Sequence, residues 1–578
     1  MEFKIEKNNF VLNGENIKII SGAVHYFRNF PCTWPDIFKK LKALGCNCVE
    51  TYCAWNLHEK KIGEYDFSGI LDVQAFLKEA QKQGLLAIVR PGPYICAEWE
   101  FGGLPWWLLK DDDMQIRCSN KKYIEHFDRY LDNVLAQVKP MLITNGGNVI
   151  MLQCENEYGT YGDDKKYLNH LRDGYIRRGI NVPLFTSDGH TKEILHDGCI
   201  DGVLPTLNFG SNVEERFMVH DQLFPDVPKM CMELWNGWFD HWGEIHHTTD
   251  ANAYAKTLDV MLKKGNANMY MFIGGTNYGF MNGANHYDTY EPTITSYDYD
   301  ALLTECGDTT PKYFAVRDVI KKYVNYPLPD VPENRQKGAF GKITLDEVAG
   351  LLDNLSNLST PIESEVPKNM ESYDQGYGYI MYKTTLNRDY VNSTIWFESL
   401  GDRANVYVND DQIGVVYVND KDTSIKFSAK SGDVLYVLCE NMGRTNFGDK
   451  MMRKKGIAGR CLIDGKIHFG WEVYTLPMDD LTRLVYKNTL PKEKSAFFKG
   501  KLLIDEPKDT FMLPANFKKG FVVVNGFNVG RFWDVGPQRT LYLPETILKK
   551  GVNEIIVFDS DGTDAKPTIK FIDKPILN

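Results

Sequence analysis

Residues Val73 to Arg90 read VQAFLKEAQKQGLLAIVR. Val73, Phe76, Leu77 and Ala80 fall at i, i+3, i+4 and i+7, one apolar helical face. Gly84 ends that helix, and Leu85 to Arg90 follows as a continuous apolar run of strand length. A strand that is apolar on both faces belongs in a parallel sheet covered by helices. Seven further runs repeat the pattern through the first 325 or so residues: Ile17 to Val24, Cys46 to Tyr52, Val149 to Cys154, Val182 to Ser187, Val203 to Phe209, Met230 to Glu233 and Met269 to Ile273. Amphipathic stripes such as Phe127, Leu131, Val134 and Val138 lie between them, and Gly45 ends another helix. Eight such strands, each followed by a helix, fit an α/β fold closed into a (β/α)8 barrel better than an open doubly wound sheet. A hairpin, Phe3 to Leu12 followed by Asn13-Gly14, precedes the first unit.

At Tyr326-Pro327-Leu328-Pro329-Asp330-Val331-Pro332 the prolines remove donors and forbid further helix, which marks a domain boundary. Beyond it short alternating strands such as Ala404 to Val408 and Val434 to Cys439 dominate. Val406-Tyr407-Val408-Asn409 with Gly414 recurs as Val522-Val523-Val524-Asn525 with Gly530, a weak internal repeat. The expected organisation is a barrel over 1–326, a linker and irregular segment over 327–374, and two β-sandwiches over 375–480 and 490–578.

The 578 residues leave room for such an arrangement, since a domain takes roughly 100 to 200 residues. With 43% hydrophobic and 25% charged residues the chain is an ordinary globular one, which excludes disorder and coiled coil. A net charge of −11 leaves no basic footprint for nucleic acid or an anionic membrane, so neither is an expected partner. The N-terminus MEFKIEKNNF is too charged for a secretory signal, and the twelve cysteines lack paired CxxC spacing. Buried thiols in a reducing cytoplasm are the expectation. The sequence does not set the oligomeric state and admits a homodimer.

In a barrel of this kind the active site lies at the C-terminal ends of the strands. Carboxylates dominate those positions: Glu50, Glu98, Glu155, Glu157, Asp188, Glu233, Asp298 and Asp300. No GxSxG, HExxH or Walker loop is present, and Gly274-Gly275-Thr276-Asn277 lacks the Lys-Ser/Thr of a phosphate loop. Such a set serves either a hard cation or an acid/base pair for glycoside hydrolysis. Tyr52, Trp55, Tyr94, Trp99, Trp106, Trp107, Tyr158, Trp235, Trp238 and Trp242 crowd the same segments and favour sugar, because aromatic faces suit the C–H face of a pyranose. Any one of them is as readily a core residue under a loop. Spacing leaves Glu155 and Glu157 equivalent, since a period of two puts both on one strand face.

Ser21-Gly22-Ala23-Val24-His25-Tyr26, Glu50-Thr51-Tyr52 with Trp55-Asn56-Leu57-His58-Glu59, Arg90-Pro91-Gly92-Pro93-Tyr94-Ile95-Cys96-Ala97-Glu98-Trp99 and Gln153-Cys154-Glu155-Asn156-Glu157-Tyr158-Gly159 strongly resemble glycoside hydrolase family 35. The likeness continues to Ser296-Tyr297-Asp298-Tyr299-Asp300. It implies a catalytic barrel followed by jelly-roll domains, retaining exo-hydrolysis of terminal β-galactose from an oligosaccharide or glycan, and no cofactor or metal. Carried over to this chain, Glu157 is the acid/base and Glu233 the nucleophile. Tyr52, Ile95, Cys96, Ala97, Glu98, Asn156 and Tyr299 line the galactose pocket, and Phe280, which stands where some members have Tyr, is an apolar wall.

A retaining pair is expected about 5 to 5.5 Å apart, close enough for the charge of Glu233 to keep Glu157 protonated. Trp235 and Trp238 follow the nucleophile closely, and Phe447, in a polar loop Asn441 to Gly448, can approach from the first β-domain. Stacking of a second sugar on these faces leads to an expected β-1,3 preference. Two readings compete with this one: a carbohydrate-binding assembly with an inert barrel, and an exo-β-glycosidase for another glycone such as glucosamine.

Overall fold

The computed structural model describes residues 1–563 and 567–578. Eight parallel strands close into a barrel. They are β1 (Ile20–Val24), β2 (Cys48–Tyr52), β3 (Leu86–Arg90), β4 (Val149–Gln153), β5 (Leu184–Asp188), β6 (Leu204–Phe209), β7 (Met230–Trp235) and β8 (Asn266–Ile273). β8 returns to pair with β1, Ala267 opposite Ile20. One principal helix follows each strand: α1 (Trp34–Leu44), α2 (Val73–Lys82), α3 (Lys121–Val138), α4 (Lys165–Arg177), α5 (Lys192–Gly198), α6 (Val213–Leu223), α7 (Ala251–Lys264) and α8 (Pro311–Ile320).

The local causes are those of the sequence pattern. The stripe Val73, Phe76, Leu77, Ala80 is buried against the barrel. Asp72, Asn120, Asp164, Asp250 and Thr310 each accept the backbone N–H three residues on, satisfying orphan donors at helix starts. Gly45 ends α1 at φ +108, a backbone that favours glycine. The N-terminal segment is a three-stranded sheet, and Asn13-Gly14 forms its second turn, between Asn9–Leu12 and Glu15–Ile17.

No strand or helix is described between Ile320 and Gly341. The expected linker is otherwise not irregular. Gly341–Thr344 pairs with Thr568–Ile572, and Glu347–Gly350 pairs with the strand Ala496–Ile504, so both belong to the second β-domain. Ile362–Ser364 then pairs with Trp471–Leu476 in the first. Polar, short edge strands carry little of the alternation by which strands are read, which is why this stretch looked structureless.

Each β-domain packs two main antiparallel sheets around one apolar core, six- and four-stranded in the first, which adds the short pair Leu400–Gly401 with Gly456–Ile457, and five- and four-stranded in the second. The internal repeat is a shared hairpin. Val406 pairs with Gly414 and Val522 with Gly530, each followed by a one-residue bulge. Asn409 and Asn525 close these hairpins at φ +52 and +51, and each side chain accepts a backbone N–H of the strand that pairs beside its hairpin, Val434 or Glu554. A further apolar cluster, with Tyr379, Tyr407, Phe497, Phe521 and Phe558, joins the two β-domains face to face.

Candidate active site

The C-terminal ends of the strands open into a cleft of about 620 Å³. Glu98 enters it from the loop after β3, Glu157 from the loop after β4, Glu233 and Trp235 from β7, and Tyr270 from β8.

Glu233 is fixed from three sides. Arg90, the last residue of β3, places Nη2 2.7 Å from Oε1. Tyr52 Oη, at the end of β2, lies 2.7 Å from the same oxygen, and Trp235 Nε1 donates to Oε2 at 3.1 Å. The Tyr52 hydroxyl is also 2.9 Å from Asn156 Oδ1, so its single proton serves one acceptor at a time. Asn156 Oδ1 accepts from Arg90 Nη2 at 2.7 Å and Gln153 Nε2 at 3.1 Å, while its buried Nδ2 has no protein acceptor.

Glu155 and Glu157 part company because β4 ends at Gln153 and the strand period no longer applies. Both adopt left-handed backbone, φ +60 and +50. Glu155 turns away from the cleft into a sealed chamber, where Arg117 grips it with two bonds, Nε to Oε1 at 2.9 Å and Nη2 to Oε2 at 2.8 Å. Tyr167 Oη adds a third at 2.9 Å. Glu157 faces the cleft with one side-chain donor, Asn208 Nδ2 at 3.1 Å. Burial, and then the negative charge of Glu233, push its carboxyl well above the usual range.

Cys96, Ala97 and Glu98 are three successive non-glycine residues at φ +49 to +56. Each costs on the order of 1 to 3 kcal/mol in isolation, so the loop persists only because its surroundings fix it. Arg28 Nη2 donates to Ala97 O, Gly283 N to Glu98 O at 2.9 Å, and Tyr297 Oη to Glu98 Oε2. Burial raises the Glu98 carboxyl to about 7, against the opposing pull of Tyr297 and Arg28.

The first β-domain completes the wall. Its loop 441–448 packs on the barrel: Asn446 N donates to Ala284 O at 3.0 Å, Tyr94 Oη donates to Asn446 O at 2.6 Å, and Phe447 lines the cleft. Gly443, at φ +136, allows the approach, since a Cβ there would stand 2.7 Å from Gly283 O. Arg444, buried, pairs with Glu100 at 3.0 Å and with Glu371.

The profile of Glycosyl hydrolases family 35 matches residues 9–323. The chain belongs to that family. Profiles described as the β-galactosidase first all-beta domain and galactose-binding domain match 367–477 and 495–553. The β-galactosidase of Bos taurus is 39% identical, covering 99% of this chain and 93% of its own, and that of Xanthomonas manihotis is 40% identical, covering 94% and 91%. The human beta-galactosidase-1-like protein 2 is 40% identical, covering 98% and 91%. This glycoside hydrolase therefore follows the β-galactosidase plan of barrel and two β-domains over its whole length.

Within the family 35 site, Cys96, Ala97, Glu98, Glu157, Glu233, Trp235, Trp238, Tyr299 and Phe447 line the cleft, with Tyr52 and Asn156 bonded behind Glu233. Tyr52 and Asn156 thus stand behind the lining, and two further expected residues are absent from it. Ile95 is buried, its side chain against Gly103 and its N–H on Gly102 O, and it supports the Cys96–Glu98 loop from below. Phe280 lies at the junction of the domains, 5.2 Å from the Phe521 ring and 4.5 Å from the Arg531 guanidinium, because an apolar ring finds its partners there. Most candidate aromatics are also core: Trp55 stacks on Tyr130, Trp99 packs on Phe27, and Trp106 and Trp107 are buried.

Sequence reading missed Arg90, Tyr270, Asn285, Tyr287 and Phe239. Arg90 is legible as a charge closing an otherwise apolar barrel strand. Asn285 and Tyr287 come from a late hairpin, Ala284–His286 with Tyr290–Pro292, whose distance in sequence hides its place. Among the described residues no group of three or more His, Cys, Asp or Glu is arranged to hold a metal, and no helix is long and apolar enough to cross a membrane.

Proposed function

We propose that this glycoside hydrolase is a retaining exo-β-galactosidase acting on terminal β-galactose of oligosaccharides or glycans. The observation that carries this reading is the asymmetry of two carboxylates in one cleft: Glu233 held by a guanidinium and two further donors, Glu157 kept protonated by burial and by its neighbour's charge. Glu233 attacks the anomeric carbon, the bond to the departing oxygen breaks, and that oxygen takes the proton of Glu157. Glu233 is then an ester and its charge is gone. Glu157, now a carboxylate, takes a proton from water, whose oxygen attacks the same carbon and releases Glu233. Two inversions give net retention.

The rim supports a second element of the proposal, a β-1,3 preference. Trp235 and Trp238 meet edge to face with centroids 5.6 Å apart, and Phe447 lines the same cleft. A second sugar stacked on such faces is held in one orientation. Free thiols at all twelve cysteines agree with residence in a reducing compartment.

Hydrolysis of nitrophenyl β-galactoside followed by NMR tests the mechanism: β-galactose must be the first anomer formed. Release of the α anomer first overturns retention, and faster turnover of glucosyl, fucosyl or glucosaminyl analogues overturns the glycone. A panel of galactosyl disaccharides tests the linkage.

A further inference from the structure

Among the described residues Arg90 is the one guanidinium bonded to Glu233, and it is wholly buried. Its Nε donates to Gln153 and its Nη2 to Asn156 and Glu233, while its ring-stacked face lies 3.9 Å from the centroid of Tyr52. The remaining arm, Nη1, has no hydrogen-bond partner among the described residues. It faces Glu50, on β2 inside the barrel, whose Oε1 also has none, and the two atoms stand 3.7 Å apart. That distance is too long for a hydrogen bond and short for an unrelated pair of charges. The other Glu50 oxygen is anchored at 3.2 Å by Asn268 Nδ2 of β8. A donor and an acceptor, both buried and both unsatisfied, thus look at each other across a gap that a small side-chain shift would close.

The reaction supplies a reason for the gap to close. A buried guanidinium needs a compensating charge. In the free enzyme Glu233 provides it at 2.7 Å, with Glu50 second at 3.7 Å; in the glycosyl ester proposed above Glu233 is neutral. The anion formed at the same step, on Glu157, has Asn208 as its side-chain partner. We propose that Glu50 is a positioning residue that moves from 3.7 Å to hydrogen-bond distance and takes over from Glu233 as the nearest ionic partner of Arg90 when the glycosyl ester forms, and yields that place when the ester is cleaved. Burial raises the Glu50 carboxyl to about 7, with Arg90 opposing and Glu233 adding to the rise, so loss of the Glu233 charge favours the Glu50 carboxylate; a proton held on Glu50 in the free enzyme passes to bulk water as the ester forms and is regained when the ester is cleaved. This inference rests on Glu233 being the nucleophile. It adds that the lifetime of the intermediate is set partly from behind the arginine, by a group that never touches sugar.

Glu50→Gln keeps the shape and the Asn268 contact and removes the charge. The ester then leaves Arg90 uncompensated, so its formation should slow and its hydrolysis should quicken. We expect kcat/KM on nitrophenyl β-galactoside to fall roughly tenfold. Enzyme trapped with 2-deoxy-2-fluoro-β-galactosyl fluoride should reactivate in buffer several times faster than the native enzyme. A merely structural role would lower formation and reactivation together, and unchanged or slower reactivation overturns the proposal. A crystal structure of the trapped native enzyme gives a test without substitution: Arg90 Nη1 to Glu50 Oε1 should contract from 3.7 Å to hydrogen-bond distance. A distance that stays open overturns it. Mass spectrometry of the trapped peptide separates the two readings, because a label elsewhere than Glu233 refutes the nucleophile itself, whereas a label on Glu233 with native-like reactivation of Glu50→Gln refutes only the exchange.

Discussion

Glu155 and Glu157 leave the same strand end two residues apart and enter two different regions of the molecule. Glu155 is sealed in a chamber where Arg117 and Tyr167 account for both of its oxygens. Glu157 stands in the cleft with a single amide donor and an anionic neighbour. A buried carboxylate with every lone pair answered is part of the scaffold; one left short of donors holds a proton that it can give away. The strained turn between them, with both residues at positive φ, is what allows one segment to serve both ends.

The largest expected effects come from removing the cleft pair. Glu233→Gly should abolish turnover on every substrate, a loss of about 10⁴-fold or more, and added azide should restore it with formation of α-galactosyl azide. Glu157→Ala should cost poor leaving groups about 10²- to 10⁴-fold and activated aryl groups far less, with azide giving the β product. Product stereochemistry checks both, and exchanged outcomes would reverse the two roles.

In the sealed chamber the effect should fall on stability instead. Arg117→Met leaves the Glu155 carboxylate buried without its cation, a loss of about 3 to 5 kcal/mol that denaturant melts would read. Since Arg117 Nη2 also holds Asn156 O at 2.8 Å, activity should drop as well, but by one factor for all leaving groups. A loss graded by leaving group would erase the distinction between the two regions.

The same contrast predicts how stability follows pH. Burial raises Glu50, Glu98, Glu100 and Asp188 to about 7 and Glu305 to about 8. Each binds its proton more tightly folded than unfolded, so its stabilisation is complete below the ordinary carboxylate range and is lost as pH rises through 7 to 8. Thermal melts between pH 5 and 8.5 should show Tm falling with pH across that window. A rise would mean that these groups are ionised in the fold.

The barrel was legible because its strands are continuous apolar runs, so each run marks a strand whatever surrounds it. Glu98, Glu157 and Glu233 were legible for a related reason, as charges ending apolar strands or following them. What escaped was set by partners distant in sequence. Spacing does not distinguish Glu155 from Glu157, and only the family resemblance assigns Glu157; in the fold Arg117, which precedes both by about forty positions, closes on Glu155. Phe280 reads as a loop residue of the barrel until Phe521 and Arg531 arrive from the last domain. The strands Gly341–Thr344 and Glu347–Gly350 find their neighbours more than 140 residues later. Long-range pairing of short polar segments leaves no periodic trace.

The smallest effect should come at the rim, where the cleft meets solvent. Trp238 is 39% exposed and stacks on Phe239 with centroids 5.0 Å apart, while Trp235 is tied by its indole N–H to Glu233. The two tryptophans are therefore not equivalent: loss of Trp235 removes a donor from Glu233, whereas loss of Trp238 removes only a face. Trp238→Ala should lower kcat/KM on the preferred galactosyl disaccharide by a factor of about 10, near 1.4 kcal/mol of transition-state binding. Nitrophenyl galactoside, whose departing group needs little help and offers no second sugar, should be much less affected. Trp235→Phe, by contrast, should slow both substrates, because its indole proton reaches Glu233 whichever aglycone is bound. Equal losses on both substrates for Trp238→Ala would mean that this ring braces the loop after β7 and plays no part in holding the second sugar.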